Sequence, residues 1–144
     1  MHAGQETARR SRRRWLLAAA ACLVPFAAAR AAPAKRAAAP EDAWIRRAAQ
    51  LVEAARANAN VGDFRRDIRD HRERLREIVR ANRTPPPEVL ELHRTMILTH
   101  ALLHAASECH KGGRIVCPPD LLRQLEEQLR IGFARLAAAG GGRP

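Results

Sequence analysis

The sequence has few aromatic residues, with no tyrosine, two tryptophans and three phenylalanines in 144 residues. A platform on which nucleic-acid bases stack needs aromatic side chains, so this scarcity excludes that kind of binding surface. Few residues are β-branched, which disfavours a sheet protein. Alanine, leucine, arginine and glutamate, all good helix formers, are abundant instead. The composition predicts an all-α protein.

The motifs of several common enzyme and cofactor sites are also missing. The sequence has no Cys-x-x-Cys-His for covalent haem, no glycine-rich phosphate loop and no His-Glu-x-x-His zinc motif. Ser107 is the one serine beyond residue 34, and nothing in its surroundings indicates the exposed turn, base and oxyanion donors of a serine hydrolase. We therefore expect a protein that is not an enzyme.

The positive charge is divided unevenly along the chain. The formal net charge is +11, and residues 1–34 contribute +5 of it through six arginines and one glutamate. Since nearly half of the surplus lies in the first quarter of the chain, the remainder is only mildly basic for a nucleic-acid-binding domain. We expect no nucleic-acid partner.

Residues 1–34 have the three parts of a secretory signal peptide. A basic start ending at Arg14 precedes fifteen largely apolar residues from Trp15 to Ala29, and small residues around Arg30 form Ala-x-Ala processing sites. A membrane-spanning helix needs about 20 apolar residues, so this run is too short for a stable span. We predict that residues 1–34 direct export and are removed, which makes the mature protein periplasmic or secreted.

The segment 11–17 (Ser-Arg-Arg-Arg-Trp-Leu-Leu) resembles the twin-arginine export signal, in which Ser-Arg-Arg is followed one residue later by an aromatic residue and a leucine. Arg12 and Arg13 correspond to the paired arginines, and Trp15 stands where phenylalanine is usual. The resemblance implies export of a chain that is already folded, often around a cofactor. A Sec signal is the alternative interpretation, and a lipoprotein anchor at Cys22 is a third.

Beyond the signal peptide we expect a disordered linker (35–40), a helical domain (41–138) and a flexible tail (139–144). Apolar residues recur at three- and four-residue steps in the helical domain, the spacing of helices with one buried face. Segments rich in asparagine, proline or glycine separate four such stretches. Four helices with short links predict a small antiparallel four-helix bundle.

Local signals refine the expected helices. Asp63 is expected to cap the second helix, and the third is expected from about Pro87 to His110. Residues 114–117 are expected to form an extended link before a fourth helix that opens with prolines. The first helix, built largely on alanine, is expected to contribute little to the core.

The second helix carries a run of arginines opposite its apolar side. Aspartate and glutamate residues lie three or four positions from these arginines, the spacing of ion pairs within a helix. We interpret this side as a solvated face that neutralises its own charge. An acidic partner or lipid headgroups are the alternative.

Removal of the signal peptide leaves two cysteines, Cys109 and Cys117. In an oxidising compartment an even pair at this spacing predicts a disulfide. A thiolate metal pair is the alternative, although metal-binding cysteines usually have two to four residues between them.

Histidines and one methionine provide the candidate site. His93, His100 and His104 fall within about 40° of each other around the third helix. His100 forms i,i+4 pairs with His104 and with Met96, donors that suit Cu(I) or Zn(II). His71, on the apolar side of the second helix, is the candidate ligand from elsewhere in the fold.

Other interpretations of these histidines stay open. The line of histidines can be the solvated side of an apolar helix, and His71 can be a core histidine with its hydrogen bonds satisfied. Haem ligation without covalent attachment and pH sensing are further alternatives. We expect a small exported binding or accessory protein that holds a soft or borderline metal ion. The alternative is a structural module that docks on a larger exported protein or on a second copy, without metal.

Overall fold

The computed structural model describes residues 32–140, which form a mainly helical bundle with one small antiparallel sheet. Most of the predicted signal peptide (1–31, including Arg12 and Arg13) and the end of the predicted tail (141–144) lie outside the described residues. The elements, in chain order, are α1 Ala32–Arg56, α2 Val61–Ala81, α3 Pro87–Glu108, β1 His110–Lys111, β2 Arg114–Ile115 and α4 Pro119–Ala139.

The prediction of a mainly helical protein is confirmed. Helices α1 and α3 each pack against both α2 and α4, and they also contact each other. The four helices therefore share one hydrophobic core. Among the residues described, no helix combines the length and the apolar character needed to cross a membrane.

The structure corrects the prediction that the first helix contributes little to the core. Six apolar side chains of α1 are almost completely buried at helical spacing: Trp44, Ile45, Ala48, Leu51, Val52 and Ala55. The alanines allow neighbouring helices to approach closely, while the larger residues fill the space beside them. A helix that looks weakly apolar in the sequence therefore provides much of the core.

Helix boundaries differ from the prediction at several places. Residues 35–40, expected to be a disordered linker, lie within α1. The predicted tail begins one residue too early, since residue 139 is still in α4. Asn60 caps α2 in place of Asp63: its Oδ1 accepts hydrogen bonds from the amides of Gly62 (2.8 Å) and Asp63 (3.2 Å). Because α2 begins at Val61, Asp63 lies in its first turn, where its charge suits the helix dipole.

The expected extended link at 114–117 is part of a small hairpin. β1 pairs with β2 in antiparallel register, with His110 opposite Ile115. Gly112 and Gly113 between them have φ of 58° and 75°, conformations that favour glycine. The buried Ile115 donates its amide to the carbonyl of Ala59 at 2.9 Å, which attaches the hairpin to the α1–α2 connection.

Candidate metal-binding histidines

His71 is buried at the centre of the helix packing, with 2% of its surface exposed. The indole of Trp44 stacks on its imidazole, with 3.9 Å between ring centroids and 18° between planes. The same indole donates from Nε1 to the carbonyl oxygen of His71 at 3.0 Å. These two contacts of Trp44 hold the imidazole of His71 in place. His71 faces α1 because it lies on the buried side of α2, between Ile68 and Leu75.

His100 on α3 lies beside His71, with 6.1 Å between the ring centroids and 46° between the planes. Both ring nitrogens of His71 and Nδ1 of His100 are buried and find no hydrogen-bond partner among the described residues. Buried polar atoms normally have a partner because desolvation without one is costly. His71 is therefore a core histidine, as one interpretation of the sequence held, but its ring nitrogens lack the expected hydrogen-bond partner among the described residues.

The surroundings keep both imidazoles neutral. Burial, then the nearby His100, Arg47 and Arg74, lower the pKa of His71 to about 3. Burial, then His104 and two arginines of α2, also lower the pKa of His100. A neutral imidazole has a free lone pair, which is the form that binds a metal ion.

The other two predicted ligands, Met96 and His104, are not part of the buried pair of His71 and His100. Met96 precedes His100 by one turn and is buried in the core, while His104 follows by one turn and is exposed. Within residues 32–140, no three or more His, Cys, Asp or Glu side chains are grouped so that they could hold a metal ion. The structure brings His71 and His100 together, but it places no third His, Cys, Asp or Glu ligand beside them within the described residues.

A second buried polar pair, between α1 and α3, was not predicted from the sequence. Nε2 of His93 lies 2.9 Å from Oε1 of Glu41, and the second carboxylate oxygen, Oε2, is buried without a partner in the described part of the chain. The interpretation of His93 as part of a solvated side of α3 is therefore wrong. No local pattern in the sequence marks two residues so far apart along the chain as partners.

The two cysteines are free thiols in this structure. Cys109 is the C-terminal cap of α3. Its carbonyl accepts a hydrogen bond from the amide of Val116 at 2.8 Å, so Cys117 directly follows the residue that bonds to Cys109. The thiol of Cys109 donates to the carbonyl of Ala105 at 3.5 Å. Burial, and next the neighbouring Cys109, raise the pKa of Cys117. The predicted disulfide is not formed between these residues here.

No protein-family model, curated protein or solved structure matches the chain. The chemistry of the site must therefore be inferred from its own residues. Those residues are two adjacent neutral imidazoles, held between α2 and α3 and supported by α1, whose buried nitrogens have no hydrogen-bond partner in the part of the chain that the structure describes.

Proposed function

We propose that the chain is a small exported binding or accessory protein, an antiparallel helical bundle in its mature form, that holds Cu(I) or Zn(II) between α2 and α3. The observation that carries this proposal is the pair His71 and His100, whose three buried ring nitrogens lack hydrogen-bond partners among the described residues. A metal ion bound by one nitrogen of each ring would satisfy two of these atoms, and export would place the protein in the periplasm or outside the cell.

The spacing of the rings supports a shared ion. Metal–nitrogen bonds of imidazole are about 2.0 Å long, so two rings on opposite sides of one ion have centroids roughly 6 Å apart, and two rings at the tetrahedral angle of Zn(II) have centroids roughly 5 Å apart. The observed separation is 6.1 Å. Further donors are one helical turn away on α3: the thioether of Met96 suits Cu(I), and the imidazole of His104 suits either ion.

The test is metal titration of the mature protein after treatment with a chelator. Zn(II), or Cu(I) under reducing conditions, should raise the melting temperature, because an ion that binds only the folded state stabilises it by about 2.7 kcal/mol at 100 times Kd. His71→Phe preserves an aromatic ring against Trp44 and should abolish the rise, as should His100→Ala. His110→Ala, on the exposed hairpin, is the matched control and should respond like the wild type.

Two results would refute the metal site. One is a wild-type melting curve that neither ion shifts, and the other is an equal shift in His71→Phe. His104→Ala and Met96→Leu then assign the remaining donors, since the variant with the weaker metal response identifies the ligand.

Export is tested separately with the full-length chain. We expect the mature product outside the cytoplasm with an N-terminus near residues 30–35. Replacing Arg12 and Arg13 by lysine should block export on the twin-arginine route and leave Sec export unaffected. A full-length product that stays in the cytosol would refute the export proposal.

A second candidate function is docking on another exported protein, and the outer face of α3 favours it. Leu90, Ile97 and Leu98 are 40%, 52% and 48% exposed, so this helix is apolar on its solvent side as well as its buried side. The occupant would be an apolar helix of the partner. The double variant Ile97→Ser, Leu98→Ser should then lose a stoichiometric exported partner without losing its metal response. A wild-type protein that remains monomeric and alone in its native extract would contradict this function.

A further inference from the structure

A groove of about 410 Å³ opens between α2 and α3, next to the two histidines. Arg65, Arg69 and Arg72 line it from α2, while His100, His104 and Ser107 line it from α3. Each set follows the i, i+4, i+7 spacing that places three side chains along one face of a helix. The groove is therefore bounded by a stripe of guanidinium groups facing a stripe of imidazole and hydroxyl groups, and Glu108 of α3 also belongs to its lining.

The charge of this groove is only partly neutralised. Arg65 is engaged, since its guanidinium lies 3.0 Å from the carboxylate of Glu108 and donates to the carbonyl of Ser107 at 3.2 Å. Within residues 32–140, Arg69 forms no ion pair with any carboxylate. Arg72 approaches Glu73 at 3.5 Å, but its buried Nε donates no hydrogen bond there.

The predicted self-neutralised face of α2 is thus present only in part. Asp63 and Glu73 do pair with arginines one turn along the same helix, Arg66 at 3.3 Å and Arg76 at 2.9 Å. Asp67 pairs instead with Arg47 of α1 at 2.9 Å. No carboxylate of α2 forms an ion pair with Arg69 within the described residues, and Glu73 approaches Arg72 only at 3.5 Å, so the side of the helix that faces the groove keeps a net positive charge.

We propose that this groove binds a small phosphate-bearing anion between Arg69, Arg72 and His104. Guanidinium groups bind phosphate oxygens through paired, charge-assisted hydrogen bonds, and Arg69 and Arg72 both bring such a group to the lining of the groove. The hydroxyl of Ser107 already donates a hydrogen bond to the carbonyl oxygen of His104 at 2.6 Å. The anion would therefore be bound by the arginines and the imidazole, without the hydroxyl. The groove volume falls in the range of roughly 300–1,000 Å³ found for small-molecule sites.

The anion can be free phosphate or the headgroup of an anionic lipid, and the experiment separates them. Mature protein freed of metal is titrated by calorimetry with inorganic phosphate, and in a second arm with phosphatidylglycerol vesicles against phosphatidylcholine vesicles. Binding of phosphate supports a soluble ligand, and binding of phosphatidylglycerol vesicles alone supports a headgroup. In either case the double variant Arg69→Gln, Arg72→Gln should bind at least tenfold more weakly.

The matched control is Arg74→Gln with Arg80→Gln, which removes the same charge from α2 outside the groove. It should retain wild-type affinity. No binding to either probe, or equal weakening in the control, would overturn the proposal. His71→Phe separates it from the metal site: this variant leaves the groove intact and should bind the anion normally while losing its response to metal.

Discussion

Nε2 of His93 and Oε1 of Glu41 are 2.9 Å apart inside the bundle, where neither side chain is more than 4% exposed. The contact joins α1 to α3 across 52 positions of sequence. Removing one member of such a pair leaves a desolvated polar group without a partner, which costs more than the intact contact gains.

The first prediction concerns this pair. Glu41→Leu and His93→Leu should each lower the free energy of unfolding by about 3 kcal/mol, because each leaves the other group unpaired in the core. The double variant should lose less free energy of unfolding than the sum of the two single losses, because it leaves no unpaired polar group in the core. Urea denaturation of all four proteins measures this. Strict additivity would show that the two side chains do not interact.

The second prediction concerns acid. His71 has a pKa of about 3 in the folded protein against an ordinary 6.5, so below pH 6.5 the unfolded chain binds a proton that the folded chain does not. Its contribution to stability is complete above pH 6.5 and is lost as the pH falls toward 3. The slope is up to about 1.4 kcal/mol per pH unit.

His71→Phe provides the comparison for this prediction, because it keeps an aromatic ring beside Trp44 and cannot titrate. With chelator present, the wild type should lose stability more steeply than this variant from about pH 6 to pH 4. Burial lowers the pKa of His100 as well, so His100→Ala should flatten the curve in the same direction. Parallel curves for the wild type and His71→Phe would mean that His71 titrates normally.

The third prediction concerns the cysteines at the base of the hairpin. In an oxidising compartment Cys109 and Cys117 should form a disulfide that raises the free energy of unfolding by roughly 2–2.5 kcal/mol. Because the raised pKa of Cys117 disfavours its thiolate, oxidation should be slow at neutral pH and faster at alkaline pH. Urea curves with and without reductant, compared with Cys109→Ser, measure the gain. Two free thiols in exported protein would contradict this prediction.

The fourth prediction concerns Gly132, which is buried in α4. A Cβ there would meet Ile45 Cδ1 at 3.5 Å and Thr95 Cγ2 at 3.8 Å, ordinary van der Waals distances. Gly132→Ala should therefore raise the free energy of unfolding by about 0.5–1 kcal/mol, because alanine favours the helix and fills the gap. Gly113→Ala, where φ is 75°, should lower it by about 1 kcal/mol. A loss of stability in Gly132→Ala would indicate tighter packing than these distances imply.

Much of the local structure could be predicted because it depends on neighbours in sequence. The prolines before the third and fourth helices mark starts that the structure places at Pro87 and Pro119. The predicted end of the third helix, His110, is two residues beyond Glu108 because the chain turns into the hairpin. The hairpin itself was missed, since its two-residue strands are too short to show an alternating pattern.

The candidate site was predicted in part. The placement of His71 on the apolar side of the second helix and His100 on the third gave two residues that the structure brings together. The stack of Trp44 on His71 and the pair of Glu41 with His93 could not be found in the same way, because each joins residues on different helices.

The sequence by itself determined that the described chain would be mainly helical and where its third and fourth helices would begin, since proline positions, turn residues and apolar spacing act over a few residues. Only the tertiary structure decided which histidines are buried, which are paired and which face the basic groove. Those outcomes depend on how the helices rotate and slide against one another, and that is set by the fit of the whole core, not by the spacing within any one helix.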